Sequence, residues 1–129
     1  MDAHGQCTIN IENKTLTLKL IGQFNKSGFE QALCDVQDLV LQHKLTEFAA
    51  LVDLTEWGLS EPGIEEIFKK HRPWLMEHGQ KYEVLIVGTS NLKKMESLRY
   101  FVGYDEQLSI KYCAAIEDAE EWLKLQGML

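Results

Sequence analysis

The side chains best suited to chemistry stand in two short polar stretches, each directly after an apolar run. Asp53, Thr55, Trp57, Ser60 and Glu61 follow the run 48–52, and Thr89, Ser90 and Asn91 follow the run 84–87. A hydroxyl near a carboxylate is the minimum for nucleophilic catalysis, for accepting a phosphate group or for hydrogen-bonded docking. The catalytic readings lack their companions. Gly58-Leu59-Ser60-Glu61-Pro62 is without the second glycine of a nucleophile elbow, and no glycine pattern that cradles a phosphate occurs. The four histidines, His4, His43, His71 and His78, include no pair three or four apart, so no helix offers two of them to one metal ion. Carboxylate pairs such as Glu65-Glu66 and Glu120-Glu121 read as solvated helix faces. No catalytic residue, metal or cofactor is expected. An enzyme would need Asp53, Thr55, Ser60, Thr89 and Ser90 to converge.

Ser60-Glu61-Pro62 also fits the start of a helix. Ser60 would be the N-cap, Glu61 would sit near the positive end of the helix dipole, and Pro62 would fall in the first turn, where its missing amide costs little.

Positioning these stretches is the task of the surrounding elements. Residues 7–12 and 15–21 alternate apolar and polar around Asn13-Lys14 and predict a hairpin. Residues 26–44 carry Phe29, Leu33, Val36, Val40 and Leu41 at helical spacing, begun near Asn25 or Ser27. The run 48–54 predicts a strand covered on both faces. A helix from about residue 61 places Ile64, Ile67 and Phe68 inward, and Pro73 predicts a kink or break before 74–79. A strand over 83–88 and a helix over 92–102 with Met95, Leu98, Phe101 and Val102 inward come next. A strand over 108–113 and a helix over 114–125, with Ile116, Ala119, Trp122 and Leu123 inward, complete the chain.

This order predicts one α/β domain over 1–129, a mixed, mostly parallel five-stranded sheet with four helices. Both polar stretches then lie on the carboxyl-end rim, where open α/β sheets place ligands.

The composition narrows the partner. The 129 residues are 45% hydrophobic, enough for one core, and the net charge of -7 disfavours nucleic acid. The apolar runs are far shorter than the roughly 20 residues that span a bilayer, and the first residues lack a signal-peptide pattern, so a cytoplasmic location is expected. Cys7, Cys34 and Cys113 form no C-x-x-C pair and read as buried free thiols. One charge asymmetry stands out. Residues 69–99 hold Lys69, Lys70, Arg72, Lys81, Lys93, Lys94 and Arg99 against Glu77, Glu83 and Glu96, seven basic against three acidic or +4. Trp57, Trp74, Met76, Met95, Tyr100, Phe101 and Tyr104 are interleaved with or lie near them. Either the aromatics are core and the lysines keep helix ends soluble, or Lys69, Lys70, Arg72, Trp74, Lys93, Lys94 and Arg99 form a basic, aromatic surface. Such a surface suits a protein partner of acidic character or an anionic membrane contacted peripherally.

The element order, the hairpin over 8–21, the strand Ala50-Leu51-Val52-Asp53-Leu54 leading to Ser60-Glu61-Pro62-Gly63, and Val84-Leu85-Ile86-Val87-Gly88 followed by Thr89-Ser90-Asn91 together resemble the SpoIIAA-like proteins, bacterial relatives of the STAS domains. The resemblance spans residues 7–125. It implies a β-α superhelix and a regulatory module that docks a protein through its second and third helices. The CRAL-TRIO domains share that superhelix, which adds a lipid or small hydrophobic ligand, in a cleft opened at Pro73, as the alternative. A homodimer is also left open. Anti-sigma-factor antagonists of the STAS type carry an Asp-Ser-Ser-Gly turn whose serine is phosphorylated. Here Gly63 matches, Ser60 takes the Asp position, and Glu61 and Pro62 stand where the serines would be, so the phosphoserine role passes to no residue.

Overall fold

Nine elements follow the expected order in the structure, a computed structural model that describes residues 2–58, 60–101 and 108–129, the side chains of 97–101 excepted. They are β1 (Gln6–Glu12), β2 (Thr15–Gly22), α1 (Lys26–Gln42), β3 (Phe48–Trp57), α2 (Ile64–Glu77), β4 (Gln80–Ile86), α3 (Asn91–Phe101), β5 (Ser109–Cys113) and α4 (Ile116–Leu125). β1 and β2 pair antiparallel through a turn in which Asn13 takes φ 54, a left-handed conformation that asparagine tolerates. The other three pairings are parallel.

The spatial order β1-β2-β3-β4-β5 is also the chain order. Right-handed crossovers that always step in one direction put their helices on one face of the sheet. α1 and α2 accordingly pack there, over Leu18, Leu20, Val52, Leu54 and Leu85, with Phe29, Val36 and Phe68 as their contributions. α4 follows the last strand and covers the other face, where Ala119 and Leu123 meet Ala49, Leu51, Val84 and Ile86. The strands 48–52 and 84–86 are buried on both faces for this reason. Each fully buried leucine or phenylalanine contributes about 1.5–3 kcal/mol. The amino end of β3 is sealed at Gly79, whose φ of 106 and close approach to the Thr46 carbonyl leave no room for a β-carbon.

Several expectations are corrected. α2 runs unbroken through Pro73; the proline lies on the exposed side of the helix, where the unbonded carbonyl one turn earlier can reach water, and buried Arg72 and Leu75 hold the helix on either side. Arg72 is therefore core, not surface: its guanidinium donates to Glu83 Oε2 at 2.8 Å, and both side chains are 2% exposed. Trp57 is core as well, at 3% exposure. β3 continues three residues past Leu54, because Glu56 and Trp57 pair with β2 after a bulge. β4 starts at Gln80 and takes in buried Glu83. α2 starts at Ile64. Cys34 is exposed on α1, Cys7 is half-buried and Cys113 is buried. Leu41, Met95 and Ile116 point outward, while Leu98, Phe101 and Val102 lie outside the described side chains. His71 and His78 are half-buried: His71 meets Gln37, and His78 stacks on Trp74 with centroids 3.7 Å apart.

Candidate functional site

The rim at the carboxyl ends of the strands is where the polar stretches meet. The β3–β4 register ends at Asp53 opposite Ile86, whereas β3 stays with β2 as far as Trp57 opposite Gly22. β3 thus parts from β4 over its last residues. The β3 bulge falls at that point, and Asp53 Oδ1 stabilises it by accepting from Thr55 N at 2.9 Å and Thr55 Oγ1 at 2.6 Å. The Lys93 ammonium donates to the Thr55 carbonyl and so lashes α3 to β3. Ser90 is the N-cap of α3, its Oγ accepting from Lys93 N at 3.1 Å, and Asn91 is the first helical residue. Of the residues expected on the rim, Asp53, Thr55, Thr89, Ser90 and Asn91 are brought near one another, and Lys93, assigned from sequence to the basic surface, joins them. Beside them a depression of about 270 Å³ is lined by Gly88, Thr89, Ser90, Lys94, Tyr112 and Ala114, with the Lys94 ammonium 5.7 Å from the Tyr112 ring centroid.

Ser60 and Glu61 lie on the other side of β3, against the loop between β2 and α1. Ser60 is not the cap of α2. That position is Gly63, at φ 96 and without a side-chain cap bond, and Pro62 sits in the preceding turn. Ser60 Oγ instead accepts from the buried Trp57 Nε1 at 3.0 Å and from Phe24 N at 3.4 Å. Its proton points to the Gly58 carbonyl at 3.5 Å. Glu61 stabilises the start of α1 rather than α2, accepting from Lys26 N at 2.9 Å. Asn25 is the N-cap of α1: its Oδ1 takes Gly28 N at 2.8 Å and also His4 N at 2.9 Å, while its Nδ2 donates to the Asp2 carbonyl at 2.8 Å. A second depression of about 360 Å³ is lined by His4, Gln23, Phe24, Asn25, Ser60 and Glu61. Reasoning from sequence began α1 near Asn25 or Ser27 but missed Glu61 as the acceptor for Lys26 N across the loop, because nothing in local spacing links residues 26 and 61.

The rim is thus two stations separated by the end of β3, and Ser60 does not join Thr55 and Ser90. Its oxygen is committed to the Trp57 indole and the Phe24 amide, which is a structural assignment. Cys7 and Cys113 are not activated: burial and, at Cys7, the Asp35 carboxylate push their thiols above the ordinary pKa.

Of the expected basic surface, Lys69 pairs with Glu66 at 3.3 Å, Lys70 and Lys94 are exposed, and Trp74 is half-buried against His78. The Arg99 side chain lies outside the described residues. What the sequence reading missed on α3 is Leu92: it and Met95, one turn apart, are 65% and 67% exposed beside Lys94.

No protein-family model and no curated protein matches the sequence. Solved structures do match. A DUF3478-family protein with a SpoIIAA-like fold from Shewanella loihica PV-4 is similar at a TM-score of 0.67 and 19% identity, covering 95% of this chain and 98% of that one. The anti-sigma factor antagonist SpoIIAA in its unphosphorylated form is similar at 0.60 and 14% identity, over 94% and 98% of the two chains. The Bacillus cell fate determinant SpoIIAA in its phosphorylated form matches at 0.55 and 14% identity, over 93% and 99%. Near-complete coverage in both directions, with the mixed sheet and four helices described above, gives this chain a SpoIIAA-like, STAS-type fold.

Proposed function

We propose that the chain is a non-enzymatic regulatory module that docks a protein partner on the rim and on the walls formed by α2 and α3. The observation that carries this reading is the exposed Leu92–Met95 pair, which stands beside Lys94 and next to the ordered loops of the rim. Large apolar side chains left in water at one turn of spacing, rimmed by ammonium groups, suit a partner surface with apolar and acidic groups. The likeness to an anti-sigma factor antagonist supports a regulatory role of this kind. Docking needs no serine at the α2 turn, in keeping with Glu61 and Pro62 at the positions where the resemblance would place one. The alternative of a lipid cleft gains no support from α2, which is continuous through Pro73. Among the described residues no helix is long and apolar enough to cross a membrane.

Immobilised chain should capture a defined protein from a bacterial extract. The double variant Leu92→Asp with Met95→Asp should lose it, while Leu125→Asp, at a still more exposed leucine on α4, should retain it. Capture unchanged in the α3 double variant would reject the surface.

A further inference from the structure

The edge of the sheet at β1 is undefended. Among the described residues β1 pairs with β2 alone, so every second amide and carbonyl along its seven residues points away from the sheet. Natural edges are blunted by lysine, proline, bulges or shortness. β5 at the opposite edge is five residues long with Lys111 at its centre, folded over Trp122. β1 has neither lysine nor proline, its register with β2 is regular, and its one charge, Glu12, is at its end. Cys7, Ile9 and Ile11 are half-buried, packed against the α1-side core, while Gln6, Thr8, Asn10 and Glu12 face water.

We propose that this edge is a homodimer interface in which β1 pairs antiparallel with β1 of a second copy about a two-fold axis through Ile9. The side-chain pattern is self-complementary in that register. Ile9 faces its own mate, Cys7 faces Ile11, Thr8 faces Asn10 and Gln6 faces Glu12, so apolar meets apolar on the α1 face and no charge meets a like charge. Because all seven residues find partners, the register is favoured over its slipped alternatives, which leave apolar residues in water. An interface of one strand and a helix flank is small against the roughly 800 Å² per partner of a standard stable interface, so the dimer is weak and concentration-dependent. The net charge of -7 on each copy opposes association at long range, so added salt strengthens the dimer, the reverse of an association driven by charge attraction. This surface is separate from α3 and does not rest on the docking role proposed for the rim.

Sedimentation equilibrium tests it on the full chain. Wild type should dimerise reversibly up to about 1 mM protein, more tightly in about 0.5 M than in about 0.05 M salt. Thr8→Lys with Asn10→Lys changes only exposed positions and sets like charges opposite one another, so it should weaken dimerisation at least tenfold with an unchanged circular dichroism spectrum. Mixing that variant with Thr8→Glu/Asn10→Glu should restore a heterodimer. The register is read by Ile9→Cys in a Cys34→Ser background, which should form an interchain disulfide across the axis on mild oxidation. A wild type that stays monomeric throughout, or a dimer indifferent to the lysine pair, overturns the proposal; a dimer in which Ile9→Cys does not cross-link overturns the register.

Discussion

Breaking the Arg72–Glu83 pair from either side should cost far more than removing it whole. The guanidinium of Arg72 lies 2.8 Å from Glu83 Oε2 and 4.6 Å from the Phe68 ring centroid, and Gln80 Nε2 reaches Glu83 Oε1 at 3.3 Å. With both side chains 2% exposed, Arg72→Met strands a carboxylate and Glu83→Leu strands a guanidinium where water cannot replace the lost partner. Each single change should cost about 3–5 kcal/mol, a large share of the about 5–15 kcal/mol typical of a domain. The double change Arg72→Met with Glu83→Leu keeps volume and removes both charges. It should return to within about 1–2 kcal/mol of wild type, or exceed it, because the attraction between buried ions roughly offsets their lost hydration. Urea unfolding followed by tryptophan fluorescence measures this as a shift in midpoint at constant slope. A pH limb accompanies it. Burial pushes the Glu83 carboxyl above its ordinary 4.5, although Arg72 and Gln80 pull it back. The folded chain therefore holds this proton to a higher pH than the unfolded chain does. Its contribution is fully present below 4.5 and is lost as pH rises through the folded value, so Glu83→Leu should remove a fall in stability that sets in as pH rises above 4.5. Single variants costing under about 1 kcal/mol, or a double variant equal to the sum of the singles, would refute the reasoning.

Gly28→Ala tests the tie between the first residues and α1. A β-carbon there would collide with the His4 carbonyl oxygen, so residues 2–5 should leave Asn25 while α1 gains helix propensity of up to about 1 kcal/mol. Hydrogen exchange should speed up at the amides of His4 and Asn25, with the global urea midpoint nearly unchanged; unchanged exchange at both would contradict the packing. Ser60→Ala removes the hydroxyl oxygen facing the Trp57 indole and should cost about 1–2 kcal/mol. The indole N–H resonance should shift while the first-turn amides of α2 keep their protection, and loss of that protection would reinstate Ser60 as the α2 cap.

What was legible in the sequence was whatever local pattern controls. The alternation of β1 and β2, the apolar runs of β3 and β4, and the spacing of Phe29, Leu33, Val36 and Val40 gave the elements and their order, and Asn25 gave a helix start. Loop adjacency followed from parallel pairing and brings Asp53 and Thr55 near Ser90, while the Lys93 contact to the Thr55 carbonyl was not foreseen. Failures came where a distant residue decides. Arg72 looks like surface until Glu83, eleven residues on, is found opposite it. Ser60-Glu61-Pro62 satisfies every local rule for a helix cap, yet Trp57 and Phe24 claim Ser60, and α1 claims Glu61. Pro73 breaks the helical rule, but tertiary anchoring at Arg72 and Leu75 overrides it.

The strand order bears on where the proposed docking would sit. Open α/β sheets make their ligand crevice where strand order reverses and neighbouring crossovers leave in opposite directions. In this chain the described strands run in sequence across the sheet, so no such point arises. The crossovers close one face, α4 closes the other, and what the topology leaves unsatisfied is peripheral. Those places are the loops at the end of β3, the outward side of α3 with Leu92 and Met95, and the bare edge of β1. The depressions flanking the β3 end are open and shallowly seated among committed hydrogen bonds, with Ser60, Glu61, Ser90 and Lys93 all engaged in holding loops together. Rigid, internally bonded loops next to uncovered apolar side chains are what a preorganised protein interface requires, since little conformational freedom is then lost on docking.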